Sequence, residues 1–179
     1  VSTLLVSVLA AIGIQAIKGY ENFQIGAYLL WYVLPQSVDW ILLAVLAVFL
    51  QTLSPHKFVG WGLMVIYMIT TITFVNLGFE HNLYNYAGSS PTPLSDMNAQ
   101  GTFWIGATWF RVYWSAFAVL LTVLSYALWR RGTESRLWPR LARLPSRLTG
   151  KAGLTFATAL VIFAGAGGYI YLNTNIWNE

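Results

Sequence analysis

The sequence predicts an all-α protein, a polytopic transmembrane helical bundle of about five spans plus one interfacial amphipathic helix. Three observations predict it. Of 179 residues, 57% are hydrophobic and only 9% charged, where soluble domains carry about a quarter charged residues. Mean hydropathy is +0.59, and apolar runs near the roughly 20 helical residues that cross about 30 Å of hydrocarbon recur along the chain. Finally, seven of the ten basic residues crowd into one short segment: Arg130, Arg131, Arg136, Arg140, Arg143, Arg147 and Lys151, with Glu134 the one acid among them.

The first span covers residues 1–17 and is slightly short, as expected of a truncated start. Val1 already lies inside an apolar run with no basic region ahead of it, so no signal peptide is read. The chain also stops a short polar tail beyond an apolar span, and both ends read as cuts. In residues 20–34, Ile25, Tyr28, Leu29 and Tyr32 recur at the spacing of one helical face. Tyr20, Phe23, Trp31 and Tyr32 suit the headgroup region, which predicts an interfacial helix closed by Pro35. The alternative is a re-entrant continuation of the second span.

The second span, 38–53, and the third, 60–78, are joined by Ser54-Pro55-His56-Lys57-Phe58-Val59, too tight for anything but an antiparallel hairpin. Thr70, Thr71, Thr73 and Asn76 lie in the third span and are candidates for hydrogen bonds between helices, or for lining a pathway. Residues 79–106 form the longest polar connection, irregular through Gly88-Ser89-Ser90-Pro91-Thr92-Pro93, with Ser95 or Asp96 a candidate N-cap for a short helix. The fourth span is 107–129 and the fifth 152–172, in which Ala164 and Gly168 have the small-xxx-small spacing of close helix contacts.

Short loops rich in Lys and Arg stay on the cytoplasmic side. With the Arg-rich loop inside, the fourth span runs outward-to-inward and the fifth inward-to-outward. The N-terminus then lies inside, the C-terminus outside, and Lys57 agrees while Lys18 dissents. The basic loop reads as a solvated face against anionic lipid headgroups. The net charge of +4 sits largely there and is no nucleic-acid signature.

Candidate chemistry is sparse. Glu80, His81 and Asp96 share the outer loop and could supply a metal site or an acid/base pair. Adjacent residues point different ways, however, and a His hydrogen-bonded within its own loop is the preferred reading. Arg111, near the outer end of the fourth span, reads as an anchor that snorkels outward or pairs with Glu80 or Asp96. The chain has no Cys, which excludes disulfides and thiolate metal sites. It also lacks a Gly-rich phosphate loop and a zinc motif, so this segment taken alone reads as a non-enzyme with no cofactor of its own.

Three stretches carry a resemblance. One is Tyr28-Leu29-Leu30, leading through Leu46-Ala47-Val48-Phe49-Leu50-Gln51 to His56-Lys57-Phe58-Val59-Gly60. Another is Phe79-Glu80-His81-Asn82-Leu83-Tyr84, followed by Ser95-Asp96-Met97-Asn98. The third runs from Gly167-Gly168-Tyr169-Ile170-Tyr171-Leu172 through Asn173-Thr174-Asn175-Ile176-Trp177-Asn178-Glu179. Together they resemble the membrane region of large bacterial polypeptides that join a type-2 ABC exporter-like permease to a C-terminal zinc aminopeptidase of the gluzincin class.

The resemblance implies a permease-like domain over residues 1–172 and, in residues 173–179, the start of an extracytoplasmic stalk. Zinc and the metallopeptidase motif H-E-x-x-H would belong to a downstream domain, since that motif is absent here. It further implies a multi-pass protein of the bacterial inner membrane that anchors the peptidase outside the cytoplasm. Two alternatives stay open: a transporter subunit working with a cytoplasmic ATPase, and a structural subunit of a larger membrane complex. Expected partners are the lipid bilayer, a cytoplasmic ATPase, and further copies or other chains meeting small-residue helix faces, but no nucleic acid.

Overall fold

The computed structural model describes residues 2–79, 81–93, 101–129 and 137–177, with the side chain of Val75 also left aside. Among them there is no strand. Four helical runs are long and apolar enough to cross a membrane: Ile25–Leu53, Lys57–Phe74, Phe103–Leu128 and Gly150–Trp177. The apolar helix Ser2–Ile17 is shorter, 16 residues, and at 1.5 Å per residue it falls several ångströms short of the hydrocarbon thickness. The chain is a polytopic membrane protein.

Two compact units divide the chain, residues 1–41 and residues 42–179. The first begins with α1 (Ser2–Ile17), followed by a non-helical stretch at 20–24. Helix α2 (Ile25–Tyr28) then leads through a π-helical turn (Leu29–Val33) into α3 (Leu34–Leu53) without a break. Within this unit Ser7 Oγ and Tyr32 Oη lie 3.2 Å apart.

Pro35 therefore does not close an interfacial helix. Proline lacks an N–H, and in an α-helix its ring meets the carbonyl four residues back. Here the turn ahead of Pro35 is widened, with the Leu34 N–H bonded to the Leu29 carbonyl, five residues back. A π turn of this kind accommodates the ring while the helix continues. The second span thus starts at Ile25 instead of residue 38.

The second unit holds the rest of α3, then α4 (Lys57–Asn76), α5 (Phe103–Leu128), the short helices α6 (Leu137–Ala142) and α7 (Leu144–Arg147), and α8 (Gly150–Leu172), which passes into a π turn (Asn173–Trp177). Its closest pairing is α5 against α8. Tyr113 and Phe163 stack at 4.4 Å between ring centroids, and Trp109 lies 4.4 Å from Tyr169. Gly167 makes the approach possible, because a Cβ there would meet the Tyr113 ring at 2.8 Å. The buried small positions on α8 are Ala159 and Ala166; Ala164 and Gly168, the pair singled out by spacing, are exposed.

Helix α4 buries only Gly60 among its described residues, against Gln51 of α3. Its hydroxyl groups do not reach across to other helices as expected. Thr70, Thr71 and Thr73 each donate to the carbonyl four residues back, to Ile66, Tyr67 and Ile69, and Asn76 does the same to Ile72. Back-bonding satisfies a hydroxyl in apolar surroundings without a partner helix.

Candidate functional site

Two features organise the second unit: a loop that enters the bundle from one end, and a basic cap at the other. The loop, residues 81–93, lies between α4 and α5 in sequence, and of residues 81–90 only Tyr84 is exposed. It is anchored at mid-helix positions on three spans. The Tyr86 hydroxyl donates to the Leu42 carbonyl of α3 at 2.8 Å. Tyr67 of α4 donates to the Tyr86 carbonyl at 3.1 Å, and the Trp114 indole N–H of α5 donates to the Asn82 carbonyl at 3.3 Å. Non-helical backbone at this depth needs such partners, because apolar surroundings offer none.

Aromatic rings fill the space around these bonds. Tyr86 meets Trp114 edge-on at 5.1 Å and Phe117 at 5.8 Å. Phe117 continues to Phe163 of α8 at 5.2 Å. The loop is thus a wedge joining α3, α4 and α5, which make few direct contacts with one another. A plain outer loop is what its Gly, Pro and Ser content suggested. The signal for insertion was Leu83 and Tyr86, an apolar and an aromatic residue in a polar stretch, and Tyr67, Trp114 and Tyr86 are the residues that sequence reasoning missed.

His81 sits at the mouth of this loop, and its two nitrogens have distinct roles. The Leu83 N–H donates to Nδ1 at 3.1 Å, so Nδ1 is the acceptor and Nε2 carries the proton. Thr174 Oγ1, 3.3 Å from Nε2, donates its own proton to the Ile170 carbonyl at 2.8 Å and so accepts from the imidazole. The ring also packs edge-on against Phe110 at 6.2 Å and Tyr84 at 5.9 Å. His81 is thereby held within its loop and tied to the end of the last helix. Ligating a metal would require breaking one of these bonds. No group of three or more His, Cys, Asp or Glu gathers among the described residues. Glu80, Asp96 and the candidate N-cap at Ser95 or Asp96 lie outside those residues, as does any pairing of the two acids with Arg111. Arg111 itself stands two turns inside α5, partly buried.

At the opposite end, α6 and α7 follow α5 and carry part of the basic segment. Arg140 is buried, 2% exposed. Its guanidinium donates to the carbonyls of Thr52 and Leu128, both at 2.9 Å, and Arg147 donates to the Ala127 carbonyl. Thr52 lies in the last turn of α3, and Ala127 and Leu128 end α5. The last four carbonyls of a helix lack partners within it and carry partial negative charge, so cations stabilise them. The solvated, lipid-facing role expected of Arg140 is corrected: it is an internal cap, placed where backbone carbonyls would otherwise be buried unpaired. Arg143 and Lys151 are exposed; Arg130, Arg131 and Arg136 lie outside the described residues, and so do the last two residues of the expected stalk.

The helices and their caps define a multi-pass membrane domain. Compared with protein-family models, with curated proteins and with solved structures, the chain matches none.

Proposed function

We propose that this chain is a membrane-embedded, permease-like domain that anchors and orients a zinc aminopeptidase on the extracytoplasmic side of the bacterial inner membrane, with the N-terminus inside and the C-terminus outside. The observation that carries the reading is the contact between His81 and Thr174. It joins two of the three stretches on which the resemblance to permease–aminopeptidase polypeptides rests. It also braces the end of a helical run that continues from Gly150 to Trp177. A tether that orients its cargo needs such a stiff, laterally held exit. Zinc and catalysis are assigned to the tethered peptidase, not to residues of this chain.

The test is enzymatic. Intact cells expressing the encoding gene should cleave an impermeant peptide from its N-terminus, and chelation of zinc should abolish that cleavage. A reading frame that continues past Glu179 without H-E-x-x-H, or activity confined to the cytoplasm, overturns the proposal.

A second reading, a transporter subunit coupled to a cytoplasmic ATPase, draws on α6 and α7. These helices are bonded through Arg140 and Arg147 to the ends of α3 and α5, so force applied there would reach two spans. Trp138 on α6 is 82% exposed and offers an anchor. Co-purification with an ATPase, lost in Trp138→Ala, supports this reading; its absence from membranes solubilised in mild detergent argues against it.

A further inference from the structure

The hairpin between α3 and α4 holds a cavity of about 310 Å³, lined by Gln51, Thr52, Ser54, His56, Lys57 and Trp129 among others. That size is at the lower edge of small-ligand sites. We infer that this cavity binds a phosphate group bearing a glycerol or acyl substituent, such as the headgroup of an anionic phospholipid.

The argument rests on which groups can donate. The hydroxyls are committed: Thr52 Oγ1 donates to the Val48 carbonyl at 2.8 Å and Ser54 Oγ to the Leu50 carbonyl at 2.7 Å. Gln51 Oε1 lies against Gly60, where an added Cβ would meet it at 2.1 Å, leaving the amide nitrogen as that side chain's donor. The Lys57 ammonium rests 5.1 Å above the Phe58 ring, an exposed cation–π contact worth no more than about 1 kcal/mol. It is therefore cheaply redirected toward an anion.

The backbone adds to this. Lys57 and Phe58 open α4, and first-turn amides have no carbonyl partner within their helix and carry its positive dipole end. The opposing carbonyl of Thr52 is neutralised by Arg140. Among the described residues no carboxylate lines the cavity, whereas Val48, Pro55 and Trp129 supply an apolar wall. Excess positive charge beside an apolar wall and an interfacial indole suits an anionic head with a lipid body.

Native mass spectrometry of the purified chain in detergent tests this, with phosphatidylglycerol, diacylglycerol and glycerol phosphate as probes. Phosphatidylglycerol should form a one-to-one adduct that diacylglycerol does not. Lys57→Gln should weaken it about tenfold, the loss of one charge-assisted hydrogen bond, while Lys57→Arg should retain it. Lys18→Gln, in the other unit, should leave it unchanged and controls for net charge. Glycerol phosphate binding with equal affinity, and with the same Lys57 dependence, supports the phosphate site and assigns a soluble ester as its source. Equal binding of diacylglycerol, or equal losses in Lys57→Gln and Lys18→Gln, overturns the inference. Elution volume and melting temperature, unchanged in each variant, exclude misfolding as the cause.

Discussion

The Arg140 guanidinium donates to the Thr52 carbonyl at 2.9 Å, across 88 residues of chain. The same nitrogen reaches Leu128 at 2.9 Å, so one buried cation closes the ends of two spans. Within the segment whose summed charge predicts orientation, individual residues thus hold helix ends together by capping them. The two roles need different residues, and only the second requires a particular one.

Removing this cap should be costly. Arg140→Met leaves two carbonyls without their donor in apolar surroundings, and about 2–4 kcal/mol of stability should be lost. Lys151→Gln, an exposed charge on the same segment, should change stability by less than about 0.5 kcal/mol. Denaturant unfolding in micelles, followed by circular dichroism, measures both.

The wedge makes a separable prediction. Tyr86→Phe keeps the ring contacts with Trp114 and Phe117 but loses the bond to Leu42, a cost of about 1 kcal/mol. Tyr86→Ala also empties the aromatic site and should cost about 3–5 kcal/mol. Limited proteolysis should then cut within residues 81–93 in the Ala variant much faster than in the Phe variant.

His81 and Thr174 should be energetically coupled. Thr174→Val and His81→Ala each break the contact, so the double variant should lose less than the sum of the two. The expected coupling is about 0.5–1 kcal/mol, typical of one neutral hydrogen bond. Strict additivity in unfolding measurements would remove the bracing role assigned to this pair.

Two neighbouring glycines should behave oppositely. At Gly167 an added methyl meets the Tyr113 ring, itself stacked on Phe163 and unable to yield, so Gly167→Ala should cost about 1–3 kcal/mol. Gly168 has nothing within 4 Å of an added Cβ, and Gly168→Ala should be neutral or stabilising, since Ala favours the helix. The same unfolding assay ranks them.

The apolar helices were legible in the sequence because their signal is composition over a long window: four are long and apolar enough to cross a membrane, and the first, Ser2–Ile17, is shorter. Their joints were less so. Pro35 reads locally as a stop, and only the π turn at Leu29–Val33 reveals how the helix passes it. Spacing on α8 pointed to Ala164 and Gly168, but the face that packs carries Ala166 and Gly167; a motif gives separation along a helix, not the direction it faces. Arg140 could not be told from its neighbours in sequence, because charge counting sees a loop's sum and not the carbonyl each side chain meets. His81 was legible as a loop-bound imidazole, while its partner Thr174, 93 residues away, was not.

Orientation is the claim on which the proposed function most depends, and the absence of Cys among these 179 residues makes it directly measurable in this chain. Pro91 and Ser146 are exposed and lie in the connections at opposite ends of the second unit. Single variants Pro91→Cys and Ser146→Cys in intact cells are treated with an impermeant maleimide. The account predicts labelling at position 91 and none at position 146 until the membrane is opened. Labelling at 146 with protection at 91 would place the basic cap outside and the C-terminal helix pointing inward, and would contradict both the topology and the tethered peptidase.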